Sequence, residues 1–242
     1  MPESELWVTK VFNDYLAGAG NWALGLVKMP PQARPWADFV VMQVLVVLVL
    51  MLVVALLRPR LSAGRPGKFQ QTFELIYEFV HGQAEEQVGH AAHRYVAFFG
   101  VIFIYILSSN LIGLIPCFES PTMNPSVTAG CAVATFCYYH AVGIQANGWR
   151  YVLHFLGPMP ALAPLMFPIE VVSHLARMLS LTVRLYANMF AGEQVTLVFL
   201  NLTKFAAPVI FMGLHVFVGV VQAYIFMLLA MVYVGGAVAH EH

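Results

Sequence analysis

The hydrophobic positions fall into five long apolar stretches, separated by short segments rich in proline, glycine or charge. An α-helix rises about 1.5 Å per residue and the hydrocarbon core of a bilayer is about 30 Å thick, so roughly 20 apolar residues cross it. The pattern predicts an all-α polytopic membrane protein with about five membrane helices, which form one membrane domain over residues 1–242. The stretches cover residues 39–57, 95–115, 126–146, 169–202 and 205–239.

The last two apolar stretches are longer than a bilayer requires. As continuous helices each would be about 45–50 Å long. Such helices must tilt strongly or break to fit the apolar layer. Residues 151–168, just before them, contain four prolines and predict a broken connector. We expect the two long helices to form a tilted antiparallel hairpin.

Residues 68–94 are too polar to cross a bilayer, but their apolar positions recur with a helical period. Phe73, Ile76, Tyr77 and Val80 share one helical face, whereas the glutamates lie largely elsewhere. This segment predicts an amphipathic helix that lies along the cytoplasmic surface or packs on neighbouring helices.

The basic residues suggest how the chain is oriented. Arg58, Arg60, Arg65 and Lys68 follow the first span closely, which marks the cytoplasmic side. The turn at residues 116–126 has no lysine or arginine, as expected outside. The N-terminus is therefore predicted outside and the C-terminus in the cytoplasm. Residues 1–35 form an external lead-in to a helical membrane region at 36–240.

Composition supports a membrane protein and excludes several classes. The chain is 60% hydrophobic and only 10% charged, against about 25% charged residues in soluble domains. The formal net charge is zero, so no nucleic-acid partner is expected, and the lipid bilayer is the main surrounding. The lead-in carries early acids and lacks the basic start of a signal peptide. Because no transit peptide is visible either, we expect a multi-pass protein of the bacterial plasma (inner) membrane.

Polar side chains form a stripe inside the fourth apolar stretch. Steps of three or four residues keep its six members on one helical face. Glu193 lies nine residues beyond Arg184, which turns it to the opposite side. A charged side chain at the bilayer centre costs roughly 2.5–3.5 kcal/mol, so intramembrane charges suggest an ion pathway. The stripe consists of Glu170, Ser173, Arg177, Ser180, Arg184 and Asn188.

The last stretch carries two polar residues on one face. His215 and Gln222 are seven residues apart, and Gly219 between them allows another helix to come close. In an antiparallel hairpin, Glu193, His215 and Gln222 could meet. A purely structural role for these groups remains an alternative, with an arginine paired to Glu170 and His215 or Gln222 joining helices.

The segment "SHLARMLSLTVRLYANMFAGE" resembles the signature of subunit a of F-type ATP synthases, the membrane stator beside the rotating c-ring. The stretches "FLGPMPALAPLMFPIE", "SPTMNPSVT" and "HVFVGVVQAYIFMLLAMVYV" resemble the same family, in the same order. The resemblance covers about residues 36–240. It implies a proton-translocating subunit that is not catalytic by itself and needs no cofactor or metal. It also implies the c-ring, the b-subunit peripheral stalk and the rest of the complex as partners.

The resemblance further implies roles for individual residues. Arg184 matches the essential arginine that faces each passing c-subunit carboxylate and blocks a direct proton leak. Arg177 matches a second arginine that often precedes it. The outer half-channel would contain Glu193, His215, Gln222 and Asn188, and the inner half-channel Glu170, Ser173 and Ser180.

Three positions depart from the family pattern. Met178 replaces a frequent proline, and Ala187 replaces a frequent glycine. Asn124 stands where many members carry an aspartate. Because an amide cannot titrate, either Glu119 or Glu193 is expected to take the proton-uptake role in this chain.

Two other function classes are less well supported by the sequence. A secondary transporter usually shows internal repeats, and none is found here. A membrane metalloenzyme would need more metal ligands than the pair His90 and His93, and no HExxH motif is present. The three cysteines, Cys117, Cys131 and Cys137, show no zinc spacing.

Overall fold

The computed structural model describes residues 6–26, 28, 30–62, 67–115, 118–148, 151, 163–202 and 206–238. Seven long α-helices account for most of them, with short 3₁₀ turns at 58–60, 89–94 and 121–123, and the described ranges contain no strand. The helices are α1 Trp7–Leu26, α2 Asp38–Leu57, α3 Lys68–Val88, α4 Val96–Ile112, α5 Pro125–Asn147, α6 Ala163–Leu202 and α7 Ala206–Val238. The all-α prediction is confirmed.

Five of these helices have the apolar character of membrane spans. Helices α2, α5, α6 and α7 contain stretches long and apolar enough to cross a bilayer. Helix α4 is equally apolar but has only 17 residues, or about 26 Å of helix. About five membrane helices were predicted from the sequence, and the structure agrees.

The directions of the five apolar helices alternate. The Gln43 amide donates to Tyr105 Oη over 3.2 Å, and Phe118 packs beside Val41, which makes α2 and α4 antiparallel. Two further contacts order the remaining helices. Asn110 of α4 bonds to Gly219 of α7, and Asn147 of α5 bonds to the Ala237 carbonyl of α7. Because of this alternation, the start of α2 and the end of α7 lie at opposite ends of the bundle.

Helices α6 and α7 form the predicted antiparallel hairpin. They have 40 and 33 residues, so they extend about 60 and 50 Å. Both are continuous, so a large inclination to the membrane normal, rather than a break, would fit them into an apolar layer of about 30 Å. We call the end near residues 202–206 the turn end, and the end near 163–177 and 230–238 the open end.

Helix α6 begins six residues earlier than the sequence pattern indicated. It starts at Ala163 and includes Pro168, whereas residues 152–162 of the predicted connector lie outside the described residues. A proline in the first turn of a helix loses no backbone hydrogen bond, so Pro164 is tolerated there. Pro168 removes a single bond, which did not end the helix.

Helix α3 has the predicted amphipathic character and packs on α4 and α7. Val80 and Ala84 are buried, and the Phe79 ring contacts those of Phe103 and Tyr224. Tyr77 is 56% exposed, so the packed face is rotated away from it relative to the sequence prediction.

Gly235 allows the close approach of α3 to α7. A Cβ atom at Gly235 would lie 2.6 Å from the Gln87 carbonyl oxygen, whereas one at Gly236 would meet nothing within 4 Å. Overpacking of this kind costs about 1–3 kcal/mol. We therefore expect Gly235→Ala to lower the thermal unfolding midpoint of the purified chain in detergent, whereas Gly236→Ala leaves it unchanged. Equal midpoints for the two variants would contradict this packing.

The N-terminal lead-in forms a helix fastened to the start of α2. Helix α1 is kinked at Leu16, whose carbonyl accepts from the Trp36 indole over 2.8 Å. The Asn13 side chain makes two bonds to the Trp36 backbone, and the Leu6 amide donates to Asp38. The lead-in is thereby held at the end of the bundle where α2 begins.

Candidate functional site

The hairpin register brings the polar residues of α6 opposite those of α7. The Asn188 amide donates to Gln222 Oε1 over 2.8 Å, near the middle of both helices. Towards the turn end, Gly192 lies against His215. Towards the open end, the Arg177 guanidinium lies 5.6 Å from the centre of the Tyr233 ring. The predicted site residues are therefore distributed along the whole hairpin.

Arg184 lies at the edge of the contact between α6 and α7. Leu181 and Leu185 beside it are buried in the core, whereas the guanidinium is partly exposed and donates to Ser180 Oγ over 3.3 Å. Within the described ranges, no carboxylate lies within 4 Å of this guanidinium. The described part of the chain thus places a hydroxyl, and not a carboxylate, beside this cation.

Arg177 has a different environment from Arg184. Its exposed guanidinium lies near the Tyr233 ring, an arrangement that stabilises an exposed cation by about 0.5–1 kcal/mol. Glu170 pairs with His174 over 3.2 Å. Among the ion pairs of the described residues, none joins Arg177 to Glu170, which was the structural alternative considered from the sequence.

The half of the hairpin between its middle and the turn end holds the four residues predicted for the outer half-channel. Gln222 contacts Asn188, and the His215 imidazole fits against Gly192, where a Cβ would come within 2.7 Å of Nδ1. Glu193 follows Gly192 directly and is half-buried. It forms no ion pair with His215 within 4 Å in this part of the structure. Gln222 and His215 therefore each contact α6, at Asn188 and Gly192 respectively, and Glu193 lies directly beside the second contact.

The open end holds Glu170 and Ser173 of the predicted inner half-channel together with groups that the sequence did not reveal, whereas Ser180 lies nearer the middle of the hairpin. Glu170 and His174 border a cavity of about 330 Å³, and Tyr139 Oη lies 2.6 Å from His174 Nδ1. Ser173 is half-buried on the same helix, and Ser180 contacts Arg184. The Glu-x-x-x-His spacing could have indicated the Glu170–His174 pair. The contact of His174 with Tyr139 of α5 becomes evident only from the folded structure.

A buried polar network joins α4 and the turn at residues 118–124 to α7. The Asn110 amide donates to the Gly219 carbonyl over 2.9 Å, and its oxygen accepts from the Thr122 hydroxyl over 2.7 Å. Ser120 donates to the Ser109 carbonyl. Gly219 thus admits a neighbouring helix, as its size indicated, and that helix is α4.

Asn124 and Glu119, which both follow α4 in the same turn, differ in their environment. Asn124 Oδ1 accepts from the Ser126 amide over 2.9 Å and caps the start of α5, which an aspartate could do equally well. Glu119 is exposed and borders a polar cavity of about 460 Å³ together with Asn124, Asp38 and Arg34. The loss of a titratable group at 124 therefore leaves a carboxylate in the same cavity.

Comparison with known proteins gives the family. A family model described as "ATP synthase A chain" matches residues 39–235. The chain belongs to this family. The resemblance to subunit a noted from the sequence is thereby confirmed.

Several relatives are similar over most of the chain, and each is named ATP synthase subunit a. The protein from Solibacter usitatus is 67% identical over 233 residues, covering 96% of this chain and all of the relative. The one from Koribacter versatilis is 47% identical over 241 residues, 98% of each chain. The one from Geotalea uraniireducens is 41% identical over 196 residues, 81% of this chain and 86% of the relative.

Proposed function

We propose that this chain is the stator subunit of an F-type ATP synthase and conducts protons past a rotating c-ring through two offset half-channels. The observation that carries this function is the position of Arg184. Its guanidinium is partly exposed at the hairpin edge, without a carboxylate within 4 Å among the described residues. Polar groups lie on both sides of it along the hairpin, at the turn end and at the open end.

The chemistry of arginine explains why this position suits a ring carboxylate. A carboxylate in lipid is stable only when neutral, because an unpaired buried charge is costly. Next to a guanidinium it can ionise and release its proton. Arginine stays protonated and offers five donors, which lysine does not. Arg184 is therefore suited to discharge each c subunit and to oppose a direct leak of protons.

The proposed path uses the two ends of the hairpin separately. Protons enter from the outside at the turn end, past Glu193, His215, Gln222 and Asn188. They leave at the open end, near Glu170, Ser173 and Ser180, after the ring has turned. Each charge that crosses is worth about 2.3 kcal/mol per 100 mV, which a leak past Arg184 would waste.

The proposed path implies an orientation in the membrane and a set of partner subunits. The N-terminus is outside and the C-terminus cytoplasmic in a bacterial plasma membrane, in agreement with the opposite ends of the bundle at which α2 begins and α7 ends. The partners are the c-ring, the b-subunit peripheral stalk and the remaining subunits of the complex. The exposed apolar residues of α6, such as Leu179 and Val183, fit a helical partner or lipid on this face.

Glu193→Gln tests the outer half-channel. The amide keeps the size of the side chain but cannot carry a proton, so we expect a several-fold slower proton uptake from the outside with normal assembly. The measurement is ATP-driven and proton-driven turnover in membrane vesicles, together with the amount of complex in the membrane. Glu119→Gln is the matched comparison, because it decides whether the cavity at the external turn also serves uptake. A Glu193→Gln complex that fails to assemble would favour a structural role.

A further inference from the structure

The open end of the hairpin contains a partly open cavity lined by residues of three helices. Tyr139 of α5, Glu170, His174 and Arg177 of α6, and Tyr233 of α7 line its volume of about 330 Å³. This volume is large enough to hold several water molecules. Arg177 lies seven residues before Arg184, or about 10 Å along the helix axis. The cavity therefore begins about two helical turns from Arg184, in the direction of the open end.

His174 lies between the buried and the exposed side of this cavity. It is 8% exposed, and Tyr139 beside it is 2% exposed. The Glu170 side chain on its other side is 36% exposed. Nδ1 lies 2.6 Å from Tyr139 Oη, and Nε2 lies 3.2 Å from Glu170 Oε1. Both ring nitrogens thus have a polar partner, and the ring connects the buried Tyr139 hydroxyl with the partly exposed Glu170 carboxylate.

We propose that His174, held between the Tyr139 hydroxyl and the Glu170 carboxylate, is a proton-relay residue of the inner half-channel. This role rests on the proposed function, because the protons it handles are those released beside Arg184. The sequence comparison with the family pointed to Glu170 and two serines on this side. The imidazole and its tyrosine partner are added by the contact between α5 and α6.

The geometry accommodates both protonation states without movement of heavy atoms. An ionised carboxylate only accepts hydrogen bonds, so Nε2 carries a proton that it donates to Glu170. The neutral ring then accepts from Tyr139 at Nδ1. When cavity water delivers a proton to Tyr139 Oη, the hydroxyl passes its own proton to Nδ1, and the imidazolium so formed donates to Glu170. Transfer of the Nε2 proton to Glu170, and from there to water on the exposed side, releases one proton, and a water-mediated shift of the remaining proton from Nδ1 to Nε2 restores the starting state.

Further polar and charged groups lie around the His174 ring. His140 of α5 lies with its ring 4.9 Å from that of His174, and its Nδ1 is 2.8 Å from Tyr151 Oη. The Arg177 cation borders the same cavity. A nearby positive charge destabilises the imidazolium form of a histidine, whereas the Glu170 carboxylate stabilises it. A relay needs both effects, because a proton held too tightly would block the path.

The test uses the whole ATP synthase in inverted membrane vesicles, whose outer medium contacts the cytoplasmic face. At a fixed proton-motive force, His174→Gln is expected to slow ATP synthesis roughly tenfold, less than the ~10²-fold of a positioned acid–base group, because cavity water carries part of the flux. The dependence of the rate on medium pH between about 5 and 8, where histidine titrates, should also flatten. Tyr139→Phe, which removes only the hydroxyl, should give an intermediate rate.

His81→Gln is the matched control. His81 also pairs with a glutamate four residues away, Glu85, over 3.9 Å, but it lies on α3 and does not line the cavity. We expect the wild-type rate and pH profile for this variant. The amount of assembled complex, measured in the same vesicles, separates a relay defect from a folding defect.

Chemical rescue distinguishes proton relay from a structural role. Imidazole added to the medium of His174→Ala vesicles should restore part of the rate, because the cavity and the deleted side chain leave room for it. The same addition should not change wild type or His174→Gln. A His174→Gln complex with the wild-type rate and pH profile would overturn the relay, and so would a lack of rescue in assembled His174→Ala complex. Neither result would touch the proposed function, which depends on Arg184.

Discussion

Replacement of Arg184 with alanine is expected to abolish proton-driven ATP synthesis, while passive proton flow through the membrane sector persists or rises. A guanidinium within about 4–6 Å favours the ionised carboxylate of its partner by about 10- to 1000-fold. Without it, a c-subunit carboxylate arriving at the hairpin would keep its proton, and the fixed charge between the half-channels would be lost. The measurement is ATP synthesis and passive proton flux in vesicles that contain the assembled complex.

Two further variants separate charge from hydrogen-bonding geometry. Arg184→Lys keeps the charge but loses the planar fork of donors, so we expect most of the coupling to be lost while the leak stays low. Arg177→Ala removes the arginine seven residues earlier, which lies near Tyr233 rather than at the mid-hairpin edge. It should retain more synthesis than Arg184→Ala. Preserved proton-driven synthesis in Arg184→Ala would exclude the proposed function.

The hairpin and the helical stripe could be predicted because both depend on short-range periodicity. Steps of three and four residues place Arg177, Ser180 and Arg184 on one side of a helix whatever surrounds it. The length of the last two apolar stretches likewise required large tilt or a break. The start of α6 could not be located as well, because a proline in the first helical turn and one in a connector look alike in sequence.

The contacts between helices distant in sequence could not be predicted. His174 receives its tyrosine partner from α5, 35 residues earlier in the chain. Asn110 reaches Gly219 across 109 residues. Such pairs depend on the rotation of each helix about its axis, which packing of side chains decides. For the same reason the sequence could not assign the partners of Gln222 and His215, which contact Asn188 and Gly192.

Gly192→Ala is expected to impair the outer half-channel by displacing His215. A Cβ at this position would lie 2.7 Å from Nδ1, and the imidazole must turn away because the Gly192 backbone belongs to a continuous helix. Side chains in direct contact couple by about 0.5–3 kcal/mol, and the lower half of that range corresponds to roughly a 3- to 10-fold slower proton-driven synthesis, which is the effect we expect. The measurement is the synthesis rate per assembled complex in vesicles.

A double-mutant cycle tests whether this effect passes through the imidazole. If His215 is the group displaced, Gly192→Ala adds nothing once His215→Ala is present, and the double variant matches His215→Ala alone. Gly213→Ala is the control, because it makes the same change two residues from His215 at a site where a Cβ meets nothing within 4 Å. Additive losses in the double variant would mean that Gly192 acts through helix packing and not through His215. Non-additive losses would instead mean that the close spacing of α6 and α7 at Gly192 sets the position of the His215 imidazole near Glu193.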